Sequence, residues 1–108
     1  MKLSLINKHA IVCGSTDGIG KASALLLAKQ GCEVTLVARN QDKLNKTQSE
    51  LNTNHNQKHY SVCADFDNSI DLKNKIKIHL DSLGRSVDVL VNNSGGPHSG
   101  PPVSYTHL

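Results

Sequence analysis

Short apolar runs alternate without a break with helix-forming stretches, and this alternation restricts the fold more than any other feature. His9–Cys13 is an apolar run that ends at Gly14. Gly18–Gln30 follows with helical spacing, Ile19, Ala22 and Leu26 on one face and Leu25 beside them. Gly31 is its stop, because glycine takes the left-handed conformation beyond a helix end at little cost. Glu33–Ala38 is a second strand, and Gln41–Leu51 a polar helix held by Leu44 and Leu51. Asn52–Lys58 is a polar loop and Tyr60–Ala64 a third strand. Asn68 or Ser69 can cap the next helix, where Leu72, Ile76, Leu80 and Leu83 form one apolar stripe before Gly84. Val87–Val91 is a fourth strand. Strands separated by helices of this length run parallel through right-handed crossovers. The expected class is α/β, a doubly wound parallel sheet with spatial order 3-2-1-4. Beyond it, Gly95, Gly96, Pro97, Gly100, Pro101 and Pro102 exclude regular structure for most of that stretch.

The 108 residues suffice for one small domain. Hydrophobic residues make up 37% and aromatics only 3%, so the core must come from Leu, Ile, Val and Ala, which suits helices packed on a parallel sheet. The net charge of +3 comes from lysines spread along helices, which reads as solvated helix faces. Basic residues clustered with stacking aromatics are missing, so no nucleic-acid partner is expected. Cys13, Cys32 and Cys63 form no CxxC pair. Cys13 and Cys63 lie in apolar runs and read as small buried hydrophobes, which argues for a reducing compartment. His55 and His59 are four apart in a polar stretch, and no metal site is expected there. Leu3–Ile6 is too short for a secretory core and no run approaches a membrane span. A cytoplasmic protein without a membrane partner is the expectation.

The chemistry concentrates in Cys13–Lys21, CGSTDGIGK, between the first strand and the first helix. Gly14 lets the chain turn sharply. Gly18 and Gly20 remove side chains where a backbone must approach a ligand or a helix must pack close to the sheet. Free N–H groups at the helix start, with the aligned peptide dipoles, make an anion site suited to a cofactor pyrophosphate. A P-loop is excluded: five residues separate Gly14 from Gly20, and Ala22 rather than Ser or Thr follows Lys21.

CGSTDGIG resembles the TGxxxGIG turn of the short-chain dehydrogenases/reductases, with Cys13 in place of Thr. Asn92-Asn93-Ser94-Gly95 is similar to that family's NNAG, with Ser94 in place of Ala. Asp65 matches the family Asp that contacts the adenine ring. The resemblance covers Leu5 to Gly100 and implies the first half of a Rossmann fold, residues 1–102, cut before strand five. The cofactor-binding residues it implies are Gly14, Ser15, Thr16, Asp17, Gly18, Ile19 and Gly20 in the turn, Arg39, Asp65, Phe66, Asn92, Ser94 and Gly95.

Strand two ends at Ala38-Arg39-Asn40, where an acidic side chain would bind both ribose hydroxyls and favour NAD. Ala38 holds that place, and Arg39 can pair with a 2′-phosphate, so NADP is favoured over NAD. Asp17 argues the other way, because the family's NADP users often carry a basic residue in the turn and a carboxylate repels a phosphate.

The resemblance implies hydride transfer between nicotinamide and a small-molecule carbonyl or alcohol, with 3-oxoacyl-thioester reduction as the subgroup, in a homo-oligomeric full-length protein. The family uses a Tyr as general acid/base with a Lys four residues on, and an upstream Ser. Tyr60 is followed by Ala64, and Tyr105 comes three residues before Leu108. Ser94, Ser99 and Ser104 come too early. No catalytic residue is therefore assigned, and these residues alone are expected to be inactive. Val103–Leu108, VSYTHL, resembles the start of a translated sequencing-adapter tail, so residues 103–108 are read as a non-native tail. Strand four would then be an open sheet edge, which invites aggregation. The alternative is a non-catalytic nucleotide-binding module. A Tyr-x-x-x-Lys beyond Pro102 in the gene would favour the enzyme.

Overall fold

The structure, a computed structural model, describes residues 5–92 and the backbone of Val103–Thr106. Its elements are β1 (His9–Cys13), α1 (Gly18–Lys29), β2 (Glu33–Ala38), α2 (Gln41–Glu50), β3 (Tyr60–Cys63), α3 (Ser69–Leu83), β4 (Val89–Asn92) and β5 (Val103–Thr106). They form one sheet in the order β3-β2-β1-β4-β5. The first four strands are parallel, as the alternation predicts. The fifth was not expected. It pairs antiparallel with β4, so the edge that the sequence left open carries backbone hydrogen bonds here. Strand four begins at Val89 rather than Val87, which joins the core on the α3 side.

Side chains alternate across the sheet. Ala10, Val12, Val34, Leu36 and Ala38 join Ala24 and Ala28 of α1 and Leu44 of α2 on one face. Ile11, Cys13, Val37 and Ala64 face the other way, toward Leu72, Ile76 and Leu80 of α3. Of the expected α3 stripe, Leu72, Ile76 and Leu80 join this cluster and Leu83 does not, and all four are only half-buried. A single helix of the described residues covers that face.

The expected face of α1 is not the buried one. Ile19 and Leu26 are 63% and 59% exposed, and Ala22 is exposed too. The buried face is Gly20, Ala24 and Ala28. Small residues at this spacing let the helix axis come close to the strands, and bulk on that side would hold it away. Cys63 is also corrected: it is half-buried, with its thiol donating to the Arg39 carbonyl at 3.2 Å, whereas Cys32 is fully buried.

The Asn52–Lys58 loop is pinned rather than free. Gln57 is buried and donates to the Ala28 carbonyl at 2.8 Å. His59 Nδ1 accepts from the Val34 amide at 3.1 Å, while Nε2 faces the Asn52 carbonyl at 2.8 Å. At this same N-terminal end of the strands, a polar chain crosses the sheet. His9 Nε2 lies 2.8 Å from the Thr35 hydroxyl, which lies 2.9 Å from His79 Nε2. Tyr60 meets the His79 ring edge-on at 5.3 Å.

Candidate nucleotide-binding site

The C-terminal ends of the four parallel strands lie side by side, with Cys13 opposite both Val37 and Asn92 and Ala38 opposite Cys63. In open α/β sheets ligands bind at this edge, where the strand order reverses between β1 and its two neighbours. The glycine turn, Arg39, Asp65 and Asn92 all stand there. Asn93, Ser94 and Gly95 lie outside the described residues.

Gly14 leaves β1 with a φ of 71°, and its amide donates to the Val37 carbonyl at 2.9 Å. Ser15 is buried, its hydroxyl 3.5 Å from the same carbonyl, so it anchors the turn to β2. Thr16 is half-buried, and Asp17, Gly18 and Ile19 are exposed. Gly18 has a φ of 57° and open space where a Cβ would stand. Gly20 is the reverse: a Cβ there would fall 2.0 Å from the Gly14 carbonyl oxygen.

The helix starts differ. Asn40 caps α2 by accepting from the Lys43 amide at 3.1 Å, and Asn68 caps α3 by accepting from the Asp71 amide at 3.0 Å. Asp17 precedes α1 in an extended conformation and makes no side-chain cap. The first amides of α1 therefore keep their donors for an outside acceptor, beside the space that Gly18 leaves open. This fits a pyrophosphate: anionic, backbone-bound and needing close approach.

At the end of β2, Ala38 is buried and Arg39 is exposed. The Arg39 guanidinium lies 3.9 Å from the Asp67 carboxylate. Lys43, in the first turn of α2, reaches back to Asp17 at 3.5 Å. Asp65 is exposed and accepts from the Asp67 amide at 2.9 Å, which shapes the turn after β3. Phe66 is half-buried and packs against the core on the α3 side. Burial pushes the Cys13 thiol up to about 11, so the residue that replaces the family Thr is an inert thiol. Tyr60 opens β3 at the edge away from the turn. Sequence reasoning missed Lys43 and Asp67. The signal for Lys43 was its place three residues after a capping Asn, which puts it in the first turn of a helix that starts at the site.

Residues 8–107 match the family model of the short chain dehydrogenases, and the chain belongs to that family. It is 39% identical over 101 residues to a very-long-chain 3-oxoacyl-CoA reductase of Danio rerio, covering 94% of this chain and 32% of that protein. It is 41% identical over 102 residues to a 3-ketodihydrosphingosine reductase of Bos taurus, covering 91% of this chain and 30% of that protein. Among solved structures, it is similar to the L-sorbose reductase of Gluconobacter frateurii complexed with NADPH and L-sorbose, with a TM-score of 0.78, 30% identity, and coverage of 94% of this chain and 38% of that one. The chain thus spans about a third of the length of the curated relatives it matches.

Proposed function

We propose that this chain is the cofactor-binding part of an NADP-dependent reductase that moves hydride between nicotinamide and a ketone or secondary alcohol. The observation that carries the reading is the open, uncapped glycine turn at the start of α1, in a chain of this family. When bound, the cofactor supplies the hydride. The residues here bind and orient it. Turn amides hold the pyrophosphate, Gly18 leaves room for it, and Gly20 keeps α1 close enough to present those amides. Arg39 meets the 2′-phosphate, Asp65 the adenine, and Asn92 stands on the nicotinamide side. Ser94 and Gly95 are assigned there by the family resemblance. The general acid/base belongs to a Tyr-x-x-x-Lys outside these 108 residues. The names of two relatives, one a 3-oxoacyl-CoA reductase and the other a 3-ketodihydrosphingosine reductase, support a 3-oxo lipid as substrate. A homo-oligomeric protein in the cytoplasm completes the reading.

Equilibrium binding to the full-length protein tests it. NADPH should bind more tightly than NADH. Arg39→Ala should weaken NADPH by about tenfold or more, the worth of a charge-assisted bond, and leave NADH nearly unchanged. Tighter NADH binding by the wild type would sink the NADP assignment. For the substrate, NADPH oxidation should be faster with a 3-oxoacyl-CoA than with a simple ketose.

A further inference from the structure

We propose that His9, Thr35 and His79 form a proton-operated latch, which holds the C-terminal half of α3 on the sheet at neutral pH and releases it in mild acid. The latch stands at the N-terminal end of the strands, away from the glycine turn. Three elements meet in it: β1 through His9, β2 through Thr35 and α3 through His79. Both imidazoles converge on one atom, with His9 Nε2 at 2.8 Å and His79 Nε2 at 2.9 Å from the Thr35 hydroxyl oxygen.

Little else holds α3 at that end. None of its residues is fully buried. Among the described residues, two side-chain hydrogen bonds join it to the sheet. One runs from Lys75 Nζ to the Cys63 carbonyl at 3.0 Å, in the N-terminal half of the helix. An ammonium-to-carbonyl bond does not change between neutral pH and pH 5. The other is the His79 bond, and it does change. At neutral pH the chain runs one way: His79 Nε2–H donates to the Thr35 hydroxyl, the hydroxyl donates to His9 Nε2, and His9 Nδ1–H donates to the Ser86 carbonyl at 3.3 Å. A proton on His9 Nε2 turns that atom from acceptor to donor. Two imidazole N–H groups then face one hydroxyl, whose own proton has lost its acceptor.

The surrounding groups give no relief. Glu33 of β2 is paired with Arg85 and also accepts from the Lys58 amide at 3.3 Å. Asp88, just before β4, accepts from the His9 amide at 2.9 Å. Tyr60 of β3 offers His79 a ring contact at 5.3 Å. Once both are charged, the two histidine rings stand 6.3 Å apart as like charges. His9 is fully buried in the sheet, whereas His79 is half-buried on the least anchored element, so His79 is the one that moves. It carries the half-buried Ile76 and Leu80 off the sheet, and water reaches His9. Burial, the largest cause, holds both histidines below the ordinary 6.5, so opening takes up protons and acid favours the open form.

Hydrogen exchange of the full-length protein tests the latch, read on peptides by mass spectrometry and corrected for the intrinsic pH dependence of exchange. Between pH 7.5 and pH 5.5 the protection of residues 76–83 should fall by about tenfold, the effect of one proton taken up over one unit below the ordinary histidine value. Residues 69–75 and α1 should change by less than about twofold. Thr35→Val should open residues 76–83 already at pH 7.5 and flatten their response to acid. Thr35→Ser keeps the hydroxyl and should keep the wild-type profile. His9→Gln supplies an acceptor that does not titrate, and it should hold residues 76–83 closed at both pH values. Equal loss of protection along the whole chain at pH 5.5 would be general acid destabilisation and would overturn the latch. So would unchanged protection of residues 76–83, or a Thr35→Val protein that matches Thr35→Ser.

Discussion

Gly20 has no room for a side chain. A Cβ there would lie 2.0 Å from the Gly14 carbonyl oxygen and 2.8 Å from its carbon, both backbone atoms that cannot swing away. Gly18, two residues earlier, has open space around it and a φ of 57°. The two glycines therefore fail differently. Gly20→Ala must push α1 off the turn and should lower stability by about 3 kcal/mol, at the upper end for overpacking. Gly18→Ala should cost only about 1 kcal/mol, for holding a side chain in the left-handed region. Its larger effect should be on cofactor binding, because the new methyl stands where the pyrophosphate approaches. Urea unfolding of the full-length variants checks the order, and equal losses would contradict it. That glycines were needed was legible in CGSTDGIGK. Which of them faces open space and which meets a backbone was not, because the difference lies in how close the helix comes to Gly14.

At the scale of elements, the polar chain at the base of the sheet ties β1, β2 and α3 together. The Ser86 carbonyl can only accept, so His9 carries its proton on Nδ1 and uses Nε2 to accept from the Thr35 hydroxyl. The hydroxyl oxygen then accepts from His79 Nε2–H. Each donor in the chain meets one acceptor, and a further proton has no place in it. Burial, the largest cause, holds the pKa of both His9 and His79 below the ordinary 6.5. Around His9, Arg85 and His79 act in the same direction, while the Ser86 hydrogen bond and Glu33 oppose it. The unfolded chain takes up protons near pH 6.5 and the folded one does so only lower. The contribution to stability is thus complete above about pH 6.5 and is lost as pH falls through the folded values. Urea midpoints should fall between pH 7.5 and pH 5, and a flat profile would contradict the linkage. Thr35→Val should cost about 1–3 kcal/mol at neutral pH, because it leaves the buried His9 Nε2 without its donor. The strands were readable from their apolar runs, but a Thr within EVTLVA gave no hint of two histidine partners. One is 26 residues away and the other 44.

Across the whole molecule, the most exposed large apolar side chains among the described residues lie on the helices. The sequence pointed to an open edge at strand four, yet β5 pairs with it. Ile19, Leu26, Ile70 and Ile78 are instead exposed on the outer faces of α1 and α3. Such residues on both faces of one small domain favour association. The 108-residue chain expressed alone should self-associate with rising concentration, and Leu26→Gln combined with Ile78→Lys should shift it toward monomer. Sedimentation velocity reads this, and a monodisperse unmodified monomer would contradict it.

The sequence by itself determined the order of elements, the parallel sheet with order 3-2-1-4, the glycine turn and the strand-end positions of Arg39, Asp65 and Asn92. These follow from periodicity, capping and glycine requirements, which are properties of short stretches of chain. Tertiary structure alone decided which face of α1 is buried. Ile19, Ala22 and Leu26 have the more apolar pattern, but the turn admits the helix only on its smallest side, Gly20, Ala24 and Ala28. It also decided that Lys43 answers Asp17 across 26 residues. Contacts of that kind depend on how closely separate elements approach, and no local pattern encodes that distance.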